Sequence, residues 1–259
     1  MKQLLMMITM LLLCNTGIAQ EKLYLVFEFM RVDNEQENAY AETESFWEKI
    51  HEQRVKNGTI IGWDLWALAP GGEDQNFQYL TVNLYNDPVK MFEGGGFQEA
   101  LQAAYPNMSE DELNKKFNAT AKSRDLAVRI FLEEVATTDD DFEMPIGTVA
   151  SIDFMKVALE NYSTYEKAEM EVFKPLHQKA VDADQKRSWA LLRFMSPIGS
   201  ATYASHITVN MYADFKEALN QNINFNEGMT PQQTKAMQDG LAARDMKFVN
   251  MARLIRKVR

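Results

Sequence analysis

Only one cysteine, Cys14, occurs in the sequence, so no internal disulfide can form and no cysteine cluster can hold zinc or an iron–sulfur centre. Cys14 also falls in a stretch that reads as a leader. Lys2 precedes an apolar run from Leu4 to Leu13, and Gly17-Ile18-Ala19 places small residues where a signal peptidase cuts. The expectation is a signal peptide over residues 1–19, a mature chain without cysteine, and a secreted or periplasmic location. Lipid attachment at Cys14 is disfavoured because Leu13 before it is not small. No second apolar run approaches the ~20 residues that span a bilayer. Basic residues are also short: 27 Lys and Arg stand against 37 Asp and Glu, a net charge of -10, which loss of Lys2 takes to -11. The acids are dispersed, and an acidic surface argues against nucleic acid and anionic membrane as partners, since phosphates need clustered cations. Gly94-Gly95-Gly96 lacks the following Lys and Ser or Thr of a phosphate loop and reads as a break.

What the chain does have is a repeat. Glu28-Phe29-Met30-Arg31-Val32 returns as Asp153-Phe154-Met155-Lys156-Val157, an offset of 125 residues (28 to 153). Thr81-Val82-Asn83-Leu84-Tyr85 returns as Thr208-Val209-Asn210-Met211-Tyr212, an offset of 127 (81 to 208). His51 answers His177, Trp63 answers Trp189, and Pro70 with Gly72 answers Pro197 with Gly199. A duplicated unit predicts a first repeat over 20–136, a polar linker over 137–146 and a second repeat over 147–259.

Within the first unit, alternation of Leu25, Phe27 and Phe29 with Val26, Glu28 and Met30 predicts a strand. Tyr40, Trp47, Ile50 and Arg54 fall at helical spacing, with His51 near their edge. Strands are expected over 60–68 and 77–85, joined by a turn at Pro70-Gly71-Gly72. Asp87-Pro88 reads as a helix start, Ser109-Glu110-Asp111-Glu112 as a capping box, and residues 127–135 as a closing strand. The second unit follows suit, with Pro175 expected to disturb its first helix and Thr230 to cap its second. The irregular segments 93–108 and 220–229 are expected to act as lids. Strand, helix, strand, strand, helix, strand is the ferredoxin-like order, an α+β fold. The reading places helices over the apolar strand faces and packs the two repeats sheet to sheet through their half-polar faces.

On Phe29-Met30-Arg31-Val32, Phe173-Lys174-Pro175-Leu176-His177 and the Thr-Val-Asn-x-Tyr-x-Asp strand, the chain resembles the dimeric α/β-barrel superfamily in a tandem, fused form, closest to secreted and stress-responsive branches. The resemblance implies a pseudo-dimeric barrel. The superfamily includes cofactor-independent quinol monooxygenases, haem-binding and haem-degrading enzymes, and lactone isomerases, so activity stays open. No stretch matches a specific catalytic motif of these branches.

If the strand faces are assigned correctly, Glu28 and Asp153 point into the barrel, where burial would raise their pKa values and suit them to proton transfer. The alternative pairs them with Arg129 and Arg253 on the closing strands as structural ion pairs. Thr81, Thr208, Asn83, Asn210, Tyr85 and Tyr212, with Arg129 and Arg253, would line the same space as ligand-binding groups, or satisfy one another. His206 replaces Tyr79 of the first unit and is expected to face the lumen as a base, an axial haem ligand or a packed histidine. Glu48 and His51 have carboxylate–histidine metal spacing, but Lys174 breaks it in the second copy, so no metal site is expected. The tryptophans Trp47, Trp63, Trp66 and Trp189 read as core and wall residues.

Three functions compete: a secreted protein binding a small apolar or aromatic molecule between its sheets, a cofactor-independent monooxygenase-like or other enzyme acting in the same lumen, and an interaction module with a filled barrel. The first is favoured, with no cofactor, because no nucleophile, acid and base converge in the sequence.

Overall fold

The computed structural model describes residues 22–69, 76–221 and 228–259. The leader-like segment, the Pro70-Gly71-Gly72 turn and residues 222–227 lie outside them. Among the described residues eight strands form: β1 (Tyr24–Arg31), β2 (Gly62–Ala69), β3 (Tyr79–Tyr85), β4 (Asp125–Thr137), β5 (Val149–Val157), β6 (Ser188–Ser196), β7 (His206–Tyr212) and β8 (Arg244–Val258). Their order around a closed barrel is β1-β3-β2-β8-β5-β7-β6-β4. Read from β4, the first four run β4-β1-β3-β2; read from β8, the last four run β8-β5-β7-β6, so one arrangement occurs twice. Two antiparallel seams close the ring, β2 to β8 with Trp63 opposite Val258, and β4 to β6 with Glu133 opposite Arg193. Closure removes every free sheet edge.

Bending eight strands into a ring needs local distortion. The register of β1 on β4 shifts between Phe29 and Met30, and that of β5 on β8 shifts between Phe154 and Met155, the same place in each half. A bulge inserts one residue, bends the strand and increases its twist. The repeated Phe-Met pair thus marks equivalent corners of the barrel.

The interior is apolar and drawn from all eight strands: Phe27, Phe29, Trp66, Leu80, Ile130, Phe154, Leu192, Ile207 and Leu254 are among its members. This corrects the expected assignment of faces. The strongly apolar strand faces meet each other inside the barrel, and the half-polar faces turn outward beneath the helices. The physical reason is dryness. A ring closed on itself is the most water-free place in the fold, so the face with the most hydrocarbon goes there, and a helix layer tolerates polar groups at its margins. The expectation of a ligand space between the sheets fails for the same reason, because aromatic and branched side chains fill that space.

The helices lie outside. In the first half they are α1 (Glu37–Lys56), α2 (Pro88–Glu93), α3 (Phe97–Ala104) and α4 (Glu110–Thr120). Asp87 accepts hydrogen bonds from the Val89 and Lys90 amides to start α2, and Ser109 with Glu112 forms the expected capping box of α4. The segment expected to be an irregular lid contains α3, whose Ala100 and Leu101 are buried against Phe46 and Ile50 of α1. Its hydrophobic spacing was hidden between Gly96 and Pro106. In the second half α5 (Tyr162–Ala168) runs into a π-helical turn at Glu169–Phe173 and on into α6 (Lys174–Asp182). The wide turn comes just before Pro175, which lacks an amide hydrogen and cannot continue the regular ladder. After α7 (Phe215–Leu219), α8 (Pro231–Ala242) starts at the Thr230–Gln233 capping box.

Because each half has two edges sealed only by the other, the barrel is expected to unfold as one unit. Urea unfolding followed by fluorescence and by circular dichroism should give coincident single transitions. Phe154→Ala, at a side chain 1 % exposed in the shared interior, should lower stability by about 3 to 5 kcal/mol without splitting the transition.

Candidate functional site

Turning the half-polar faces outward leaves a cleft between sheet and helices in each half. The N-terminal cleft is a cavity of about 640 Å3 whose floor carries Glu28, Thr81, Asn83 and Tyr85, with Trp47, His51 and Arg54 of α1 above and Phe92 and Phe131 at one side. The C-terminal cleft, about 550 Å3, has Asp153, Thr208, Asn210 and Tyr212 on its floor, Glu169, Phe173 and His177 above, and Lys186 and Trp189 at the side. The predicted floor residues therefore do gather, but in two separate places outside the barrel and not in one lumen. Glu28 and Asp153 do not share a site.

A second constellation escaped the sequence reading. In the N-terminal cleft Arg54 donates to Asn83 Oδ1 at 3.3 Å, to His51 Nδ1 at 3.3 Å and to the Tyr85 hydroxyl at 3.1 Å. In the C-terminal cleft Lys186 Nζ lies 2.6 Å from Asn210 Oδ1 and 2.8 Å from His177 Nδ1. Each histidine stacks on its tryptophan, His51 on Trp63 at 4.9 Å and His177 on Trp189 at 5.0 Å. The same cation–histidine–asparagine cluster is thus built twice, from a cation at the end of α1 in one half and from the loop before β6 in the other. Arg54 was visible as a charge on an otherwise apolar helix face. Lys186 gave no periodic signal, since it stands in a loop.

The two carboxylates differ in partner. Glu28 receives Arg129 Nε at 2.7 Å and the Thr81 hydroxyl at 3.4 Å, so the expected ion pair forms in this half. In the other half the residue opposite Asp153 across β8 is Val249, and Arg253 lies over the Phe215 ring at 5.2 Å. The expected Asp153–Arg253 pair is not made, because the corresponding position on β8 is apolar and Arg253 sits farther along the strand. Asp153 instead accepts from Ser151, from Thr208 at 3.1 Å and from Asn210 at 2.9 Å. Burial pushes its carboxyl above the usual range, while these hydrogen bonds and Lys186 draw it back. Lys186 is 2 % exposed, and burial lowers it to about 7 despite the attraction of Asp153. Burial and Lys186 lower His177 to about 2, so its imidazole is neutral. Burial also raises Glu169 to about 7, against the pull of Arg244.

His206 faces outward beneath α5, not inward. Its Nδ1 lies 3.0 Å from the Ser205 hydroxyl, its Nε2 lies 3.0 Å from Glu166, and its ring meets Tyr162 and Tyr165 edge-on. With both nitrogens engaged outside the clefts, it is a packed histidine. Glu48 is turned to Arg256 at 2.6 Å. Among the described residues no three His, Cys, Asp or Glu side chains are grouped to hold a metal, and no helix is long and apolar enough to cross a membrane. Of the tryptophans, Trp66 lies in the barrel interior, Trp63 and Trp189 sit under the helices, and Trp47 lines a cleft.

Comparison with known proteins places the fold. No family model matches the sequence, and no curated protein matches it. Solved structures do match. A candidate monooxygenase from Fusobacterium nucleatum subsp. nucleatum aligns over 92% of this chain and 94% of its own with a TM-score of 0.55 and 14% identity. A variant of chlorite dismutase from Candidatus Nitrospira defluvii aligns over 92% and 93%, with a TM-score of 0.53 and 10% identity. An anthrone oxidase-like protein aligns over 93% and 94%, with a TM-score of 0.52 and 12% identity. The likeness is one of fold: these proteins share the architecture of this chain over nearly its whole length.

The sequence left an axial haem histidine open, and the geometry of the cleft histidines bears on that expectation. An axial histidine presents one nitrogen lone pair to iron while its other N–H is held by an acceptor. Here His51 Nδ1 receives a hydrogen from Arg54, which has no acceptor to offer. The proton of the neutral ring then sits on Nε2, the wrong tautomer for iron at that nitrogen. The ammonium form of Lys186 imposes the same tautomer on His177. The residues present do not fit a histidine-ligated haem.

Two outcomes follow for stability. The Glu28–Arg129 pair has side chains 17% and 50% exposed, so Glu28→Gln should cost under about 1 kcal/mol in urea unfolding. Glu169 titrates near 7 folded, against 4.5 for the free group, so the native state holds the extra proton between these values and loses stability as pH rises through them. Glu169→Gln removes that loss. The variant's stability relative to wild type should rise from pH 4.5 to pH 7 by on the order of 3 kcal/mol and then level off; a flat difference would mean that Glu169 stays ionised throughout.

Proposed function

We propose that the protein binds a small molecule with an aromatic or apolar body in its C-terminal cleft, with Asp153, Asn210 and Lys186 reading the polar end. The observation that carries this is a buried lysine ammonium, bonded to neutral His177 and Asn210, beside a carboxylate that no arginine neutralises. Met155, Phe173, Trp189 and Leu241 supply apolar walls around these polar groups, the usual make-up of a small-molecule site. A phenol or ketone would find both a hydrogen-bond acceptor and a donor at the floor.

A second reading has a specific observation in its favour. Lys186 at about 7, beside a carboxyl of raised pKa, can take and return a proton at neutral pH. That suits proton abstraction from a phenolic or anthrone-like substrate, and the names of the monooxygenase and anthrone oxidase-like neighbours lend it support. The leader-like residues 1–19 support export of the protein. The twofold strand order and the repeated motifs support two ferredoxin-like repeats, 20–136 and 147–259, joined by 137–146.

Calorimetric titration with 1-naphthol tests the binding reading. Wild type should bind one equivalent, and Lys186→Met and Asn210→Ala should each weaken binding about tenfold or more, the loss expected for a buried charge-assisted hydrogen bond. Asn83→Ala in the other cleft should change nothing. Equal affinities across the set would end the reading. Dioxygen uptake with anthrone, present in wild type and absent in Lys186→Met, would favour catalysis over binding alone.

A further inference from the structure

The N-terminal cleft contains a cation that its surroundings leave uncompensated. Three arginines line this cavity, Arg54, Arg124 and Arg129. Arg124 is paired with Glu44, and Arg129 with Glu28. Arg54 is 6% exposed, and its hydrogen-bond partners His51, Asn83 and Tyr85 are all neutral. His51 offers no counter-charge, since an imidazole is neutral or cationic; burial and Arg54 hold it well below its usual pKa and so keep it neutral. Two further donors in the cavity, Arg54 Nε and the indole Nε1 of Trp47, are buried and have no hydrogen-bond partner among the described residues. A buried guanidinium with no ion-pair partner among the described residues and two unmet buried donors are each costly alone, and native structures keep such groups mainly where something else satisfies them.

The walls say what kind of molecule that is. Phe92, half exposed on α2, stacks on Phe131 of β4 at 4.7 Å, and Met91, Val26 and Met30 extend the apolar side. The acids at the rim do not oppose an anion placed at Arg54: Asp125 is bonded to Arg31 at 2.6 Å, and Glu93 is exposed to solvent at the mouth.

We infer that the N-terminal cleft is a second, anion-selective ligand site that takes an aryl carboxylate, with the carboxylate on Arg54 and the Trp47 indole and the ring against Phe92 and Phe131. Guanidinium and carboxylate match as a two-pronged pair, which a lysine could not reproduce. The site shares no residue with the C-terminal cleft, so it stands whether or not the function proposed there holds. The duplicated halves would then read opposite polar ends: an anionic group in one, a neutral phenol or ketone in the other.

The test uses 2-naphthoate and its neutral analogue 2-naphthamide, titrated into the full protein by calorimetry, with thermal unfolding beside it. Wild type is expected to bind one equivalent of 2-naphthoate, at least tenfold more tightly than 2-naphthamide, with a rise in unfolding midpoint. Arg54→Met should abolish the preference for the anion while the unliganded variant stays folded, since it removes an uncompensated buried charge. Arg54→Lys keeps the charge without the fork and should fall between the two. Lys186→Met should leave 2-naphthoate binding intact. Unchanged 2-naphthoate affinity in Arg54→Met overturns the proposal, as does absence of binding to wild type. Loss of binding in Lys186→Met alone would also overturn it, by moving the anion to the other cleft and leaving the C-terminal reading in place.

Discussion

Everything in this fold hangs on the burial of one apolar surface shared by two halves of the chain. Phe29 and Phe154, which sit at matching register shifts of β1 and β5, have ring centroids 5.9 Å apart inside the barrel. That contact can exist only if both strand sets turn their hydrocarbon faces toward each other. Once they do, the remaining strand faces have nowhere to go but outward, under the helices. The clefts are therefore a by-product of barrel closure: polar floor residues cannot enter the dry interior, and helices cannot seal a floor that contains carboxylates, amides and a buried cation.

The matching layout of the two clefts makes the differences between them informative. Both clefts keep a tryptophan, a stacked histidine, an asparagine, a tyrosine and an acid in matching places. They part at two points. One is the strand position facing the acid, arginine in β4 and valine in β8. The other is the cation, guanidinium from a helix and ammonium from a loop. These two changes turn an acid locked into an ion pair into one held by hydroxyl and amide donors.

Period-two alternation in β1, β3, β5 and β7, capping boxes and the internal repeat made the element order legible in the sequence. The direction of the faces was not legible. Alternation says that Glu28 and Phe29 point opposite ways, but not which side faces the barrel, and that choice depends on a long-range pairing of β2 with β8 and β4 with β6. The candidate floor residues were found for that reason and misplaced for that reason. Lys186 was missed because its position depends on the entry to β6, and a single lysine in a polar loop looks like any other until the strand docks it over Asn210.

The seams have a consequence for how the chain must come together during synthesis. The first four strands can pair among themselves in the order β4-β1-β3-β2, yet the outer edges of β2 and β4 wait for β8 and β6. Strand β8, residues Arg244–Val258, follows the other seven strands in the chain. Until β6 arrives the nascent first half carries two open edges, and until β8 arrives the edge of β2 stays open, the conditions under which sheets recruit foreign strands. In a ring sealed this way, strand capture by a foreign edge is closed off only when β6 and β8 have both docked.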